Sequence, residues 1–180
     1  VNKDSHIQDN TLLNNYSVYN LGYYYSDIGI IRYLKSSLNT EFSDNFGKIN
    51  FVFDYRKLLE SNRQFQARVY LGKFLWNNDR FDNFNYNLGR SGGYLFLDNY
   101  LGRSERTGLL SQQFIMAGGG FKSFFKDPTT NNFMLTTNLN LGIWKWIEGY
   151  LDLGMLKNSK EDSRYFYGTG IRLNLLPDFF

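Results

Sequence analysis

Apolar and polar side chains alternate, residue by residue, along most of this chain of 180 residues. In "YFYGTGIRLNLL" (165–176), one parity is mostly apolar, whereas the other carries glycine, arginine and asparagine. Successive side chains of an extended strand point to opposite faces of a sheet, so a two-residue period predicts a strand with one apolar and one polar face. No part of the sequence demands a helix.

The same period recurs in "KINFVFDYRK" (48–57), "NFNYNLG" (83–89), "NFMLTTNLNLGIW" (132–144) and "IEGYLDLGM" (147–155). Polar clusters rich in Asn, Asp, Ser and Gly separate the runs, as turns do. Several runs last for about ten residues, whereas an ordinary strand has about five or six. We predict about ten strands, near residues 15–26, 29–42, 46–58, 63–76, 82–90, 93–101, 110–125, 130–144, 146–157 and 163–176.

The polar parity of these runs is largely Asn, Gly, Thr, Ser and Gln, with single charges. A soluble β-sandwich or barrel turns its apolar face inward and a charged face to water. A transmembrane barrel does the reverse, with strands of about 9–11 residues and aromatic girdles at both interfaces. The long runs and the 19% of aromatic residues therefore predict an all-β, antiparallel, up-and-down transmembrane β-barrel of the outer-membrane type. A soluble β domain is the alternative.

Parity assigns each residue of these runs to lipid or to the lumen. The predicted lipid-facing residues are Phe51, Phe53, Tyr55, Phe84, Tyr86, Leu88, Phe133, Leu135, Leu139, Leu141, Ile143, Leu151, Leu153, Ile171, Leu173 and Leu175. The predicted lumen-facing residues are Asp54, Arg56, Arg68, Asn138, Asn140, Asp152, Arg172 and Asn174. Aromatic residues near predicted strand ends are assigned to the girdles: Tyr23, Tyr25, Trp76, Trp144, Trp146, Tyr165 and Tyr167.

Composition excludes several other classes of protein. No run of about twenty apolar residues is present, which argues against a bundle of transmembrane helices. The absence of cysteine excludes disulfides and thiolate metal sites. Net charge is +3 with basic residues scattered among acids, so no nucleic-acid partner is predicted. The opening "VNKDSHIQDN" lacks an apolar signal segment, which predicts a removed signal or a start within a longer protein.

Motifs for catalysis are weak. His6 is the single histidine and lies in a polar lead-in, so neither a metal site nor serine–histidine catalysis is predicted. The glycines in "MAGGGFKSFF" (116–125) invite comparison with a Walker A loop, but Phe121 occupies the position before Lys122 where that loop needs glycine. We predict instead a bulge, a bend, or a place where strand packing needs small side chains, at residues 118–120. No catalytic, cofactor or metal residue is predicted in this chain.

Four stretches together are similar to one family: "FGKINFVFDYRKLLESNRQFQARVYLGKFLWN", "YLGRSERTGLLSQQFIMAGGGFKS", "IWKWIEGYLDLGMLKN" and "GIRLNLLPDFF". They resemble the C-terminal region of large gluzincin metallopeptidases of the M1 aminopeptidase type found in Bacteroidota. The resemblance covers residues 15–180, and residues 102–113 are its most specific part. None of these stretches is a catalytic motif.

The resemblance implies a long precursor, with a zinc peptidase domain upstream that would carry a His-Glu-x-x-His helix. That motif is absent here, so zinc is expected only in the upstream domain. Sequences of the family continue past the equivalent of "PDFF", which implies a further strand after Pro177. The predicted organisation is a lead-in at 1–14 and one barrel domain at 15–180.

The predicted function is to anchor a metallopeptidase-like protein in the bacterial outer membrane. The expected partners are outer-membrane lipid, the remainder of the same polypeptide and other outer-membrane proteins. A stand-alone transport or structural barrel, or a subunit of an outer-membrane complex, is the second possibility, and a soluble β domain is the third.

Overall fold

The computed structural model describes residues 17–78, 85–89, 118–123, 125–126, 128–144 and 146–173, and these residues form an all-β structure. Its strands are β1 (Tyr19–Ile28), β2 (Arg32–Phe42), β3 (Phe46–Leu58), β4 (Gln64–Asn77), β5 (Tyr86–Asn87), β6 (Thr129–Thr130), β7 (Phe133–Trp144), β8 (Ile147–Lys157) and β9 (Arg164–Leu173). A single 3-10 turn, Glu60–Asn62, lies between β3 and β4. Among the described residues, no helix is long and apolar enough to cross a membrane.

Seven strands of 10 to 14 residues form one antiparallel sheet in the order β1-β2-β3-β4-β7-β8-β9. Each strand pairs with the next along the chain, except that β4 pairs directly with β7 across residues 78–132. The short strands β5 and β6 pair with each other in a separate ladder. The described sheet is open, since β1 and β9 form its two edges and do not pair.

Seven of the predicted strands are confirmed as long strands of this sheet, with ends that move by four residues or fewer. Two others are wrong where the structure describes them. The predicted strand at 82–90 is reduced to Tyr86–Asn87, and residues 118–123 of the predicted strand at 110–125 contain no strand. The prediction at 93–101 lies outside the described residues, as do the lead-in at 1–14 and the residues after Leu173.

The turns divide the sheet into two ends. At the short-turn end, strands are joined by residues 29–31, 59–63 and 145–146, and Ser61 takes a positive φ of 62° in the longest of these connections. At the long-loop end, they are joined by residues 43–45, 78–132 and 158–163. Bulges at Gly47/Lys48 and Gly142/Trp144 interrupt an otherwise regular register.

The buried core lies on one face of the sheet, toward the long-loop end. Residues 85–89 and 118–123 pack against this face, which we call the inner face, and the opposite face is the outer face. The buried apolar residues are Phe46, Tyr70, Phe74, Tyr86, Leu88, Phe121, Met134 and Leu156. No described segment packs against the outer face.

Candidate functional site

The strand register sorts the predicted residues onto two faces. Asp54, Arg68, Asn138 and Asp152 are successive cross-strand partners on β3, β4, β7 and β8. One position along, Phe53, Val69, Thr137 and Leu153 form the neighbouring row. Cross-strand partners point to the same face and adjacent rows to opposite faces, so the first row is on the inner face and the second on the outer face.

Fourteen predicted lipid-facing residues lie in the described part of the chain, and all but Tyr86 and Leu88 share the outer face. Ile143 belongs with them although it sits in a bulge, because its Cδ1 lies 3.3 Å from the Cβ position of Gly149 on this face. Many outer-face side chains are open, among them Leu153 at 44% and Ile171 at 62% relative exposure. Phe84 and Leu175 lie outside the described residues.

Charge on the outer face is confined to its ends. Within the seven described strands, the register places five charged residues there: Asp27, Arg32 and Lys57 at the short-turn end, and Lys73 and Lys157 at the long-loop end. Strand β7 itself presents only uncharged residues to this face from Phe133 to Ile143, with Phe133 in register with Lys73 and Lys157. Ten residue steps span about 33 Å along a strand, and a barrel tilt of about 40° reduces this to about 25 Å of height.

Aromatic residues occupy both ends of the outer face. At the long-loop end, Trp76 stacks on Phe42 with ring centroids 5.8 Å apart, and Tyr165 is widely exposed. At the short-turn end, Trp144 and Trp146 are exposed. These four predicted positions at strand ends are confirmed, with Tyr167 two residues further in. The predicted end positions of Tyr23 and Tyr25 are wrong, because both lie in the middle of β1.

Two hydroxyl groups of the outer face bond to the backbone. The Thr40 hydroxyl donates to the Leu21 carbonyl oxygen at 3.2 Å, and the Thr169 hydroxyl donates to the Tyr150 carbonyl oxygen at 2.9 Å. A hydroxyl whose donor is already satisfied within the protein has less need of water. These threonines therefore add little polarity to the face.

The inner face carries the charge that the middle of the outer face lacks. All the predicted lumen-facing residues that the structure describes share it: Asp54, Arg56, Arg68, Asn138, Asn140, Asp152 and Arg172. Asn174 lies outside the described residues. Neighbouring strands of the sheet are joined by the Glu41–Lys48 ion pair at 2.9 Å and by Glu148–Arg172 at 2.7 Å.

A polar network joins the middle of the inner face to the inner segment, which we define as residues 118–123. Lys122 Nζ lies 3.0 Å from Asp152 Oδ1, and the Lys122 backbone N–H donates to Oδ2 of the same carboxylate at 3.1 Å. Asn138 Nδ2 donates to Asp152 Oδ1 at 2.9 Å and to the Gly120 carbonyl at 3.1 Å. Arg68 Nη1 donates to the Gly118 carbonyl at 3.0 Å. Buried charges are tolerated where they are paired and hydrogen-bonded in this way.

Glycine is required where the inner segment meets its neighbours. Gly120 has a positive φ of 66°, and a Cβ there would lie 2.4 Å from Asn138 Oδ1. A Cβ on Gly119 would lie 2.4 Å from the Leu88 backbone. Residues 118–119 form a turn and lie in no strand, so the predicted bend is confirmed and the predicted strand packing is wrong.

Apolar contacts complete the inner packing and correct two predictions. Tyr86 and Leu88 were predicted to face lipid, but they are 6% and 0% exposed. Tyr86 packs on the inner-face rings of Tyr70 and Phe74, with centroids 6.2 and 4.8 Å away. The reason is that the inner face is itself apolar toward the long-loop end, so it buries the apolar side of a short neighbouring segment. Burial raises the pKa of the Tyr86 phenol, whose ionised form would lose its hydration.

No metal site is found among the described residues, where no three His, Asp or Glu side chains are grouped suitably. His6 lies outside them. Over β1–β3 the inner face is left partly open, with a cavity of about 330 Å³ whose lining includes Tyr24, Lys35 and Asp54. The arrangement as a whole offers an apolar surface and a charged interior, and no grouping of catalytic side chains has emerged from the described residues.

Comparison of the chain with protein-family models, with curated proteins and with solved structures gave no match. The resemblance to the metallopeptidase family therefore stays a prediction from the sequence. The fold and the two faces of the sheet carry the functional argument.

Proposed function

We propose that the chain forms the wall of an outer-membrane β-barrel and serves as the membrane anchor of a metallopeptidase-like protein. The outer face would meet lipid, and the inner face would line the barrel interior. The observation that carries the proposal is the distribution of charge, which is abundant on the inner face and restricted to both ends of the outer face.

A soluble sheet would be expected to distribute charge differently. Its solvent face is normally polar and its packed face apolar. Here the face that is packed by residues of the chain holds Arg68 and Asp152, at 8% and 0% exposure, while Leu153 and Ile171 are open. The uncharged height of about 25 Å along β7 matches the apolar band of outer-membrane barrels. Trp76 and Trp144 near opposite ends match the aromatic girdles.

Barrel formation requires that the two edges of the sheet be paired. Strands β1 and β9 each present one unpaired edge in the described sheet. Hydrocarbon offers no water to satisfy free N–H and C=O groups, so an open edge is unfavourable there. We propose that β1 and β9 are joined directly or through further strands in the membrane-inserted protein.

The peptidase part of the proposal rests on the sequence resemblance alone. An anchor needs no catalytic group of its own, and its partner would be the zinc peptidase domain of the same polypeptide. Determining the sequence upstream of Val1 tests this part. A His-Glu-x-x-His motif in the same reading frame is expected, and an upstream frame without one would leave an anchor or stand-alone barrel with no peptidase.

The lengths of the connections also suggest an orientation. Outer-membrane barrels have short periplasmic turns and longer extracellular loops. The longest connection, residues 78–132, lies at the long-loop end, which we propose faces outward from the cell. In intact cells, an impermeant maleimide should label Ser159→Cys and spare Glu60→Cys; the opposite pattern would reverse the orientation.

The membrane assignment is tested by refolding the chain in phospholipid vesicles. The inserted barrel should migrate differently on SDS gels before and after boiling, and it should resist extraction by carbonate at high pH. A chain that stays soluble without detergent and migrates identically in both lanes would show a soluble β domain instead. A closed barrel is required for the shift, so the same gel also tests the pairing of β1 and β9.

A further inference from the structure

The inner segment is attached to the sheet by three kinds of contact. Lys122 forms an ion pair with Asp152, the glycine carbonyls accept hydrogen bonds from Arg68 and Asn138, and Phe121 is buried in the apolar cluster. A Cβ on Gly154 of β8 would lie 2.9 Å from the Phe121 ring, so the ring packs directly against the backbone of β8. The inner segment therefore packs closely against the sheet.

One observation distinguishes the Lys122–Asp152 pair from the other ion pairs of the inner face. It joins the inner segment to the sheet, whereas Glu41–Lys48 and Glu148–Arg172 join one strand of the sheet to the next. The pair is deeply buried, as Glu41–Lys48 also is, with side-chain exposures of 13% for Lys122 and 0% for Asp152. Removing one partner of such a pair leaves an uncompensated buried charge, which strongly disfavours the seated arrangement.

The surface beneath the inner segment is suited to water once the segment leaves. Arg68, Asn138 and Asp152 form one row across three neighbouring strands, and all three bond to the segment. Without it, the charges of Arg68 and Asp152 and the amide of Asn138 would face the lumen with no partner from residues 118–123. Polar groups that lose their partners draw water in, and a hydrated lumen conducts ions.

We propose that the inner segment is a plug that closes the barrel lumen, and that the Lys122–Asp152 ion pair is the latch that holds it in place. This inference rests on the proposed membrane barrel. Its consequence is that the native protein is an electrically silent anchor, while breaking the latch turns the same wall into a channel for small ions.

Single-channel recording in planar bilayers tests the latch with two variants. Asp152→Asn removes the charge from the wall, and Lys122→Met removes it from the segment with little change in side-chain length. Each should raise the time spent in conducting states by on the order of a hundredfold, because each leaves one member of a buried pair without its partner. Insertion of every variant is first verified by its gel shift on boiling.

Glu148→Gln is the matched control. It breaks an ion pair of similar length on the same strand, and Arg172 and Gln64, two residues that bond to Glu148, both belong to the sheet. This variant should stay silent. Conductance from Glu148→Gln equal to that of Asp152→Asn would show that any loss of inner-face charge destabilises the wall, and it would overturn the latch.

A disulfide provides the converse test. A Cβ on Gly168 of β9 would lie 3.7 Å from Ser123 Cβ, close to the separation of about 3.8 Å in disulfides. The chain has no other cysteine to interfere. Ser123→Cys with Gly168→Cys, added to Asp152→Asn, should be silent when oxidised and conduct after reduction. Conductance that is the same in the oxidised and the reduced form would contradict a plug.

The outcomes separate the inference from the proposal beneath it. A chain that never inserts overturns the membrane barrel and the plug together. A chain that inserts, but in which both latch variants are as silent as the native protein, overturns the plug and leaves the anchor intact. Native protein that conducts as well as Asp152→Asn would also overturn the plug and leave the anchor intact.

Discussion

The two faces of the sheet are built by the same seven strands in one register, yet they differ in what surrounds them. The outer face is uncharged through its middle and carries no described segment. The inner face holds Arg68, Asn138 and Asp152, and it is covered in part by a segment that pairs with all three. In the middle of the sheet, buried side chains are therefore largely charged or polar, and exposed side chains are largely apolar.

Because of this reversal, the apolar core covers only part of the inner face. Apolar residues of the inner face gather at the long-loop end, where Phe74, Met134 and Leu156 pack with Phe121. In the middle of the inner face, polar groups form hydrogen bonds with one another, as Asn138 does with Asp152. The sheet is therefore expected to depend on lipid for much of its apolar burial, and substitutions on the two faces should differ in kind.

The largest single effect is expected from removal of an aromatic ring. Phe121→Ala on the inner side should cost about 3–5 kcal/mol of unfolding free energy, because it leaves a cavity among buried side chains. Phe51→Ala on the outer face should cost only about 2 kcal/mol, since lipid chains fill the space and the loss is that of transfer alone. Urea unfolding in vesicles measures both values. A Phe51→Ala variant with unchanged stability would place this ring in water.

Arginine substitutions should show a dependence on depth. Leu153 lies in the middle of β8, and Ile171 lies toward the short-turn end of β9. Leu153→Arg should cost about 2–4 kcal/mol and Ile171→Arg about 0–1 kcal/mol, because arginine is disfavoured at the bilayer midplane and tolerated near the interface. The same unfolding assay applies. Equal and small costs at both positions would mean that the outer face contacts water throughout.

The smallest effect is expected where the outer face ends. Asp27 and Arg32 form an ion pair at 2.7 Å with exposed side chains. Asp27→Asn should change the unfolding free energy by about 0.2–1 kcal/mol, since exposed pairs contribute little. Increasing salt should shrink the difference further. A cost as large as that of Leu153→Arg would mean that this end is buried, and that the uncharged band has been located wrongly.

Much of the sheet was predictable because its side-chain period is two. A run such as residues 133–143 has to place Leu135, Leu139 and Leu141 on one face whatever covers that face, and register then aligns neighbouring strands. Alternation does not reveal what the apolar face will contact. For this reason Tyr86 and Leu88 were assigned to lipid, although their segment is short and packs on the inner face.

A signal for the covered patch is present in the sequence. Phe74, Met134 and Leu156 are apolar residues at positions of polar parity, and they break the alternation near the strand ends that meet at the long-loop end. Such breaks indicate that the polar side of a strand is covered locally. The ion pair of Asp152 with Lys122 could not be predicted from the sequence. Lys122 is distant in the chain and is brought close only by the connection between β4 and β7.

The central claim is that the outer face contacts lipid, and spin-label accessibility tests it most directly. The cysteine-free chain allows a single nitroxide at Leu153→Cys or Ile171→Cys on the outer face, or at Ser37→Cys on the inner face. In vesicles, a lipid-facing Leu153 should give the highest collision rate with oxygen and the lowest with a water-soluble nickel complex, with Ile171 intermediate. A label at Leu153 that collides with the nickel complex as freely as one at Ser37 would contradict a membrane-facing surface.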